Sequence, residues 1–318
     1  MRAKLIINPI AGKTKRKMPP ILKWTFKRLK KRLNAISKEK TTAQDIIREV
    51  KKICVKKKIK LEIEFTTHPK HAMELAKGAR DKYDLVIVAG GDGTVNEVIN
   101  GISNSKTTLA IIPFGSTNVL ALELGIPFNV KRACELITNG KKVKIDLGYA
   151  KTSQEGRYFS MMLGVGFDAS LIKKIDSKFK KKWGRWAYPL AGIKHLFKYK
   201  WHNIHVKHKS HSIGYFVIIS NSKSYGGEYQ IADKASTTDG LLDLVIINRK
   251  KFWKIIAIIF SLSSGKLNSF LRGEYHQTKE AHIYSHKKLL VQVDGELIGT
   301  APVKVKIAPK ALSVMVNK

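Results

Sequence analysis

The stretch Leu85-Val-Ile-Val-Ala-Gly-Gly-Asp-Gly-Thr-Val-Asn-Glu-Val-Ile-Asn100 decides the fold. An apolar run leads straight into Gly90-Gly91-Asp92-Gly93-Thr94, and a helix-period pattern follows at once. Such a run reads as a buried strand. The glycines let the backbone turn sharply and approach a ligand closely. The helix that follows points unpaired N–H groups at the same spot, a natural seat for phosphate. One glycine-rich turn is a weak signal. Here a buried strand, paired glycines, an embedded carboxylate and a hydroxyl at the helix start coincide. Asp92 would need a cation between itself and a phosphate, so it implies Mg²⁺ or a hydrogen-bonding role.

Upstream, Lys4–Asn8 reads as a strand closed by Asn8-Pro9, Leu61–Thr67 as a strand and His71–Lys82 as a helix. Downstream, Leu109–Pro113 is a strand that opens into Gly115-Ser116-Thr117-Asn118 and a helix to Leu124. Strands alternating with helices predict an α/β nucleotide-binding domain, a parallel sheet with flanking helices, over residues 1–145. Beyond it, short strand-like runs such as Tyr158–Leu163, Gly214–Ser220, Leu241–Ile247, Leu289–Val293, Val303–Ile307 and Leu312–Val316 predict an antiparallel β-sandwich over 146–318. Ser170–Tyr199 and Lys251–Leu262 read as helical interruptions. The cleft between the halves is the expected site. Within the second half, Asp294-Gly295-Glu296 could deprotonate an alcohol and help hold a metal. Asp239-Gly-Leu-Leu-Asp243 could hold a hard cation. Each is equally an ordinary turn.

Composition narrows the partners. The chain of 318 residues carries a net charge of +36, which calls for a polyanion: nucleic acid, an anionic membrane or a polyanionic substrate. A basic insertion spans residues 13–60, and its Lys13–Leu33 part interleaves Trp24, Phe26 and leucines with lysine and arginine. Residues 173–209 form a second basic belt with Trp183, Trp186, Tyr188, Phe197, Tyr199 and Trp201. Aromatic residues among lysines suit an anionic lipid surface, although a solvated helix face has the same charges. No nucleic-acid-reading motif is present, so no specific nucleic acid is expected. No uncharged apolar run reaches the roughly 18 residues of a spanning helix, so membrane contact should be peripheral. His202, His205, His208 and His211 recur at spacing three without nearby cysteine or carboxylate, which argues against zinc. Cys54 and Cys134 make no disulfide framework and suit a reducing compartment.

The ordered set Asn8-Pro-Ile-Ala-Gly12, Thr66-Thr67, Gly90–Gly101, Pro113–Pro127, Asp146-Leu-Gly148, Gly164-Val-Gly-Phe-Asp168, Asp239–Asp243 and Asp294-Gly-Glu296 resembles the diacylglycerol kinase catalytic-domain family, especially its bacterial soluble lipid kinases. The resemblance implies the two-domain fold already read, ATP and Mg²⁺ as cofactors, a lipid substrate, and a cytoplasmic protein held peripherally at the inner face of the membrane. It implies an ATP site lined by Asn8, Thr67, Gly91, Asp92, Gly93 and Thr94, with Glu97 nearby and Gly115, Ser116 and Asn118 completing it. It makes Asp294 the general base, supported by Glu296. It places a structural Mg²⁺ at Asp239, the Leu241 carbonyl and Ser236. Phe167 and apolar neighbours would guide an acyl chain. Two departures stand out: Ser116 replaces the usual threonine but keeps the hydroxyl, and the 13–60 insertion exceeds the usual helix. Alternatives are an NAD kinase-like soluble kinase, a non-catalytic basic protein binding membrane or nucleic acid, and a catalytically dead lipid-binding relative. The lipid and the oligomeric state are not legible, and a dimer is compatible.

Overall fold

A computed structural model describes residues 1–11, 41–175, 191–192, 195, 198–225, 229–248 and 273–317. The basic stretch 13–33 and the expected helix Lys251–Leu262 lie outside these residues, as do most of the 173–209 belt and of the Ser170–Tyr199 helix.

The first half is built on β1 (Arg2–Ile7), β2 (Lys60–Phe65), β3 (Leu85–Gly90) and β4 (Thr108–Pro113), parallel in the order β2-β1-β3-β4. Both faces of this sheet are covered, so β3 and β4 are apolar and buried throughout. Helix α1 (Ala43–Lys56) and a later helix bury Ile46, Val50, Cys54, Cys134 and Ile137 on one face, against Leu5, Ile7, Ile87 and Ala89. Helices α2 (His71–Ala79) and α3 (Asp92–Ile102) bury Ala72, Ala76, Val98 and Ile99 on the other, against Ile6, Val86 and Val88. The period-2 alternation along β1 and β3 thus sorts side chains between two helical layers. Thr42 and Asp45 form a capping box at the start of α1. Short α4 (Val119–Glu123) and α5 (Val130–Asn139), the helix paired with α1, complete this half. Cys54 and Cys134 are buried and unpaired, and burial pushes the Cys134 thiol up to about 12.

The second half closes as a sandwich. The first sheet continues through β5 (Lys141–Lys151), β6 (Gly156–Phe159), β8 (Ile204–Lys207), β9 (His211–Gly214), β15 (Glu280–Tyr284) and β18 (Val303–Val316). A six-stranded antiparallel sheet faces it, in the order β14-β13-β10-β7-β16-β17. Its strands are β7 (Met162–Val165), β10 (Phe216–Ser220), β13 (Leu242–Ile247), β14 (Glu274–Thr278), β16 (Leu290–Val293) and β17 (Glu296–Thr300). Val206, Ile283, Val303 and Val305 from one sheet meet Leu163, Val217, Leu244 and Val291 from the other. The small hairpin β11–β12 (Ser224–Tyr225, Tyr229–Gln230) and helix α6 (Phe167–Lys174) lie outside the two layers.

Two details differ from the sequence reading. Tyr158–Leu163 is not one strand: Ser160 and Met161 carry the chain from β6 in one sheet to β7 in the other. Val303–Ile307 and Leu312–Val316 are one long strand, irregular between Ala308 and Leu312. There Lys310 adopts φ 52 and donates its N–H to Asp146 Oδ1 at 2.6 Å. The far end of β18 pairs with β4, Ser313 opposite Thr108, so the last strand belongs to both halves. β5 spans the expected boundary at residue 145 and forms a long ladder with β18.

Candidate active site

In an open parallel sheet, ligands sit beyond the strand C-termini where the strand order reverses. Here that point lies between β1 and β3, because the chain runs from β1 out to β2 and then back to β3 on the other side. Asn8 ends β1 and donates from Nδ2 to Thr94 Oγ1 across this crevice at 3.1 Å. The Gly90–Thr94 turn follows β3 as expected, with Gly91 at the N-cap of α3. Gly91 has no side chain to cap this helix, so apart from the Asp92 carboxyl its first N–H groups have no side-chain partner among the described residues.

The loop after β4 packs directly on this turn. A Cβ on Gly115 would stand 2.5 Å from Gly91 Cα and 2.8 Å from Asn118 Oδ1. Asn118 sits in the left-handed region at φ 51, accepts the Gly115 N–H at 3.0 Å and donates to the Gly115 carbonyl at 3.0 Å. Ser116 is exposed at the lip. Gly115→Ala should therefore force the two loops apart. We expect about 1–3 kcal/mol to be lost in stability. A melting curve checks it.

Asp92 and Glu97 both accept backbone N–H groups. Asp92 Oδ2 accepts the Asn118 N–H at 3.0 Å, and Oδ1 accepts the Val119 N–H at 2.6 Å. It ties the start of α4 to the glycine turn, and burial raises its pKa against those donors. Glu97 accepts the N–H groups of Lys70 (3.0 Å) and Ala72 (3.1 Å) at the start of α2. Thr67 is exposed after β2, its N–H and hydroxyl both within 3.1 Å of His71 Nδ1.

The second half brings its carboxylates to this same turn. Asp294 and Gly295, both at positive φ, form the tight turn between β16 and β17. A buried chain holds it: Gln292 donates to Asp168 Oδ2 at 2.5 Å and accepts the Gly295 N–H at 2.8 Å. Asp294 Oδ2 accepts from Asn96 Nδ2 (2.8 Å), Ser160 N (2.8 Å) and Ser160 Oγ (3.1 Å). Its Oδ1 accepts from Met161 N (3.0 Å) and Met162 N (2.9 Å). Burial raises the Asp294 pKa, and these N–H groups hold it back.

Glu296 is differently placed. Its Oε2 meets Arg157 Nη2 at 2.6 Å, a close ion contact outside hydrogen-bond alignment. Its Oε1 lies where a Cβ on Gly93 would reach it at 3.2 Å, against the phosphate turn. Among the described residues Oε1 has no donor. The Arg157 side chain is 2% exposed and that of Glu296 34%, so the cation is sealed in while the carboxylate opens to the cleft. Burial raises the Glu296 pKa, and Arg157 only partly offsets it. Arg157 Nε also donates to Asn96 Oδ1 at 3.2 Å, so Asn96 links the pair.

Asn96, Arg157 and Ser160 were not singled out in the sequence. Asn96 carried a signal, being a polar residue on the buried face of α3; Arg157 carried another, a charge at an inward position of β6.

Ser236, Asp239 and Leu241 share one loop, tethered where Gly240 N–H donates to Asp146 Oδ2 at 2.7 Å. Asp239 Oδ1 accepts the Leu241 N–H at 3.0 Å, and the Ser236 hydroxyl lies 3.3 Å from that of Thr238. None of the three hydrogen-bonds to the glycine turn among the described residues. Phe167 packs among His195, Tyr199, Trp201 and Phe216 at ring distances of 5.2–6.0 Å.

Known proteins are similar to this chain. Residues 33–150 match the diacylglycerol kinase catalytic domain, and residues 161–316 match the YegS C-terminal NAD kinase beta sandwich-like domain. A diacylglycerol kinase of Bacillus subtilis is 30% identical over 246 residues, covering 74% of this chain and 79% of that protein. An uncharacterised protein of Synechocystis is 28% identical over 269 residues, and the chain spans 60% of its length and matches with 80% of its own. A crystal structure of a diacylglycerol kinase from Bacillus anthracis shares the fold with a TM-score of 0.68 at 21% identity, over 99% of this chain and 97% of that one. The two-domain architecture, the glycine turn at the strand-order reversal and these relatives together place the chain in the diacylglycerol kinase catalytic-domain family.

Proposed function

We propose that this kinase transfers the γ-phosphate of ATP to a lipid hydroxyl. One observation carries the reading: Glu296 of the second half stands against Gly93 of the phosphate turn, beside the anchored Asp294. A site made jointly by both halves can hold a nucleotide on one side and an alcohol on the other. The uncapped start of α3, with Asn8, Thr94 and the Gly115–Asn118 loop, suits a triphosphate. A hard cation such as Mg²⁺ would accompany the triphosphate and neutralise its charge. Ser236, Asp239 and the Leu241 carbonyl form an all-oxygen donor set for the structural Mg²⁺.

The protein's own contribution is position and proton transfer. Glu296 takes the proton of the lipid hydroxyl as the hydroxyl oxygen attacks the γ-phosphorus and ADP leaves. Asp294 was the expected base, but its oxygens already accept five donors. Glu296 has the oxygen free to accept the proton, and Asp294 fixes the turn that aims it. No helix among the described residues is long and apolar enough to cross a membrane. Peripheral docking through the basic belts 13–33 and 173–209, at the inner face, completes the proposal.

The test is incubation with γ-labelled ATP, Mg²⁺ and mixed micelles of candidate lipids. Label in the organic phase establishes the lipid kinase and names its acceptor. The match to an NAD kinase beta sandwich-like domain favours a second reading. Label passing to added NAD instead would establish that one and overturn the first.

A further inference from the structure

The outer face of the first sheet carries a line of cations that the site does not use. Five cross-strand neighbours follow one another in register: His211 on β9, Lys207 on β8, His282 on β15, Lys304 on β18 and Lys151 on β5. Partners in register share a face, and like charges directly opposite destabilise a sheet. Lys304 faces Lys151 with no carboxylate between them. The three lysines are exposed, and no ion pair reaches them among the described residues. Glu280 on this face stands in the next row opposite Lys306, and Glu155 lies at the β5–β6 end. Burial, Lys304 and Lys207 together hold the His282 imidazole below its ordinary pKa. The opposite face of these strands is sandwich core, so the row is not a by-product of packing.

Strands lie about 4.8 Å apart, so the row spans roughly 19 Å of a broad sheet. Its flanks are amphipathic rather than acidic. Lys207 Nζ lies 5.6 Å from the Tyr284 ring and Lys306 Nζ 5.9 Å from the Tyr149 ring. Ile213, opposite His205 on β9, is 44% exposed. At its β5–β6 end the face runs into a cavity of about 260 Å³ lined by Tyr149, Tyr158, Arg157, Asn100, Lys77 and Glu155. Asn100 donates to the Asn96 carbonyl at 2.9 Å, one helical turn from the residue that holds Asp294.

We propose that this face, with Lys151, Lys207 and Lys304 at its centre, docks on an anionic lipid bilayer alongside the basic belts and sets the cleft against it. The proposal rests on the lipid-kinase reading for its purpose. Lysines with no acidic partner fit lipid phosphates, the tyrosines and Ile213 fit the headgroup boundary, and a broad sheet fits a plane better than it fits a nucleic-acid groove.

The test is sedimentation of the full chain with phosphatidylcholine vesicles, with and without phosphatidylglycerol, in the absence of ATP. The triple variant K151Q/K207Q/K304Q should lose partition to the anionic vesicles by about a hundredfold. A control of equal charge change on α1, K51Q/K52Q/K56Q, should keep most of it. An equal fall in both, or a fall in neither, overturns the proposal. So does a triple variant that loses binding to a single-stranded oligonucleotide more than to vesicles. Transfer to a monomeric short-chain diacylglycerol needs no docking and should survive in the triple variant; its loss would assign the face to the fold or the chemistry instead. A protein that docks as expected yet phosphorylates no lipid would remove the kinase reading alone.

Discussion

Glu296→Gln lowers phosphate transfer by on the order of 10²–10⁴-fold, the usual contribution of general-base catalysis, while the protein stays folded. The substitution keeps the shape of the side chain. Its amide oxygen can still accept from Arg157, and Glu155 Oε1 stands 3.8 Å from Arg157 Nη1 as a second counter-charge. What is lost is the oxygen against Gly93 that can accept a proton. The pH profile gives an independent readout. The Glu296 pKa is raised by burial, and Glu97 and Asp294 push in the same direction. The base form therefore disappears, as pH falls, sooner than it would for a free glutamate. The acid limb of kcat/KM should lie above the ordinary value of 4.5, and the residual activity of the variant should lack that limb. A variant retaining more than a tenth of the activity, with the limb unmoved, would return the base to Asp294.

The glycine turn was legible because its information is local. Strand, glycines and helix start are consecutive, so sequence order alone places the crevice at Gly90–Thr94. The β-sandwich was legible as a class for the same reason, from short alternating runs between turns. The partners of the carboxylates were not. Asp92 was read as calling for Mg²⁺ or taking a hydrogen-bonding role, and its oxygens accept two N–H groups some 26 residues away at Asn118 and Val119. No periodicity announces that contact, because it depends on how closely Gly91 and Gly115 let two loops approach. The divided β6–β7 run was missed because strand propensity continues through Ser160 and Met161. What separates the strands is that their partners lie in different sheets. The joining of the two halves by the last strand is likewise a long-range register, visible only once β18 is seen between β4 and β5.

Asp294→Ala should cost the fold as well as the activity. Its carboxylate is the common acceptor for Asn96 on α3 and for the backbone of Ser160, Met161 and Met162 at the crossing from β6 to β7. Alanine leaves the three backbone donors without this acceptor and Asn96 with only the Tyr158 carbonyl at 3.3 Å. At about 1–3 kcal/mol per unsatisfied buried donor, and with water entering to take up some of them, the loss is on the order of 3–5 kcal/mol. A denaturant midpoint and its slope measure this. Asp294→Asn tests the same point more finely. Its carbonyl oxygen can accept part of the set, but its amide turns two N–H groups toward other donors, so its stability should fall between wild type and alanine. The same contacts join the halves, since α3 belongs to the nucleotide side and Asp294 to the sandwich. Arg157 reinforces that joint, because it holds Asn96 and Glu296 at once. If the alanine variant melted like wild type and lost only turnover, Asp294 would be a base that the fold does not need, and the division of roles between the two carboxylates would be reversed. If it melted early and the asparagine variant recovered stability but little activity, the anchoring role would stand, with turnover depending on how firmly that anchor holds Glu296 against Gly93.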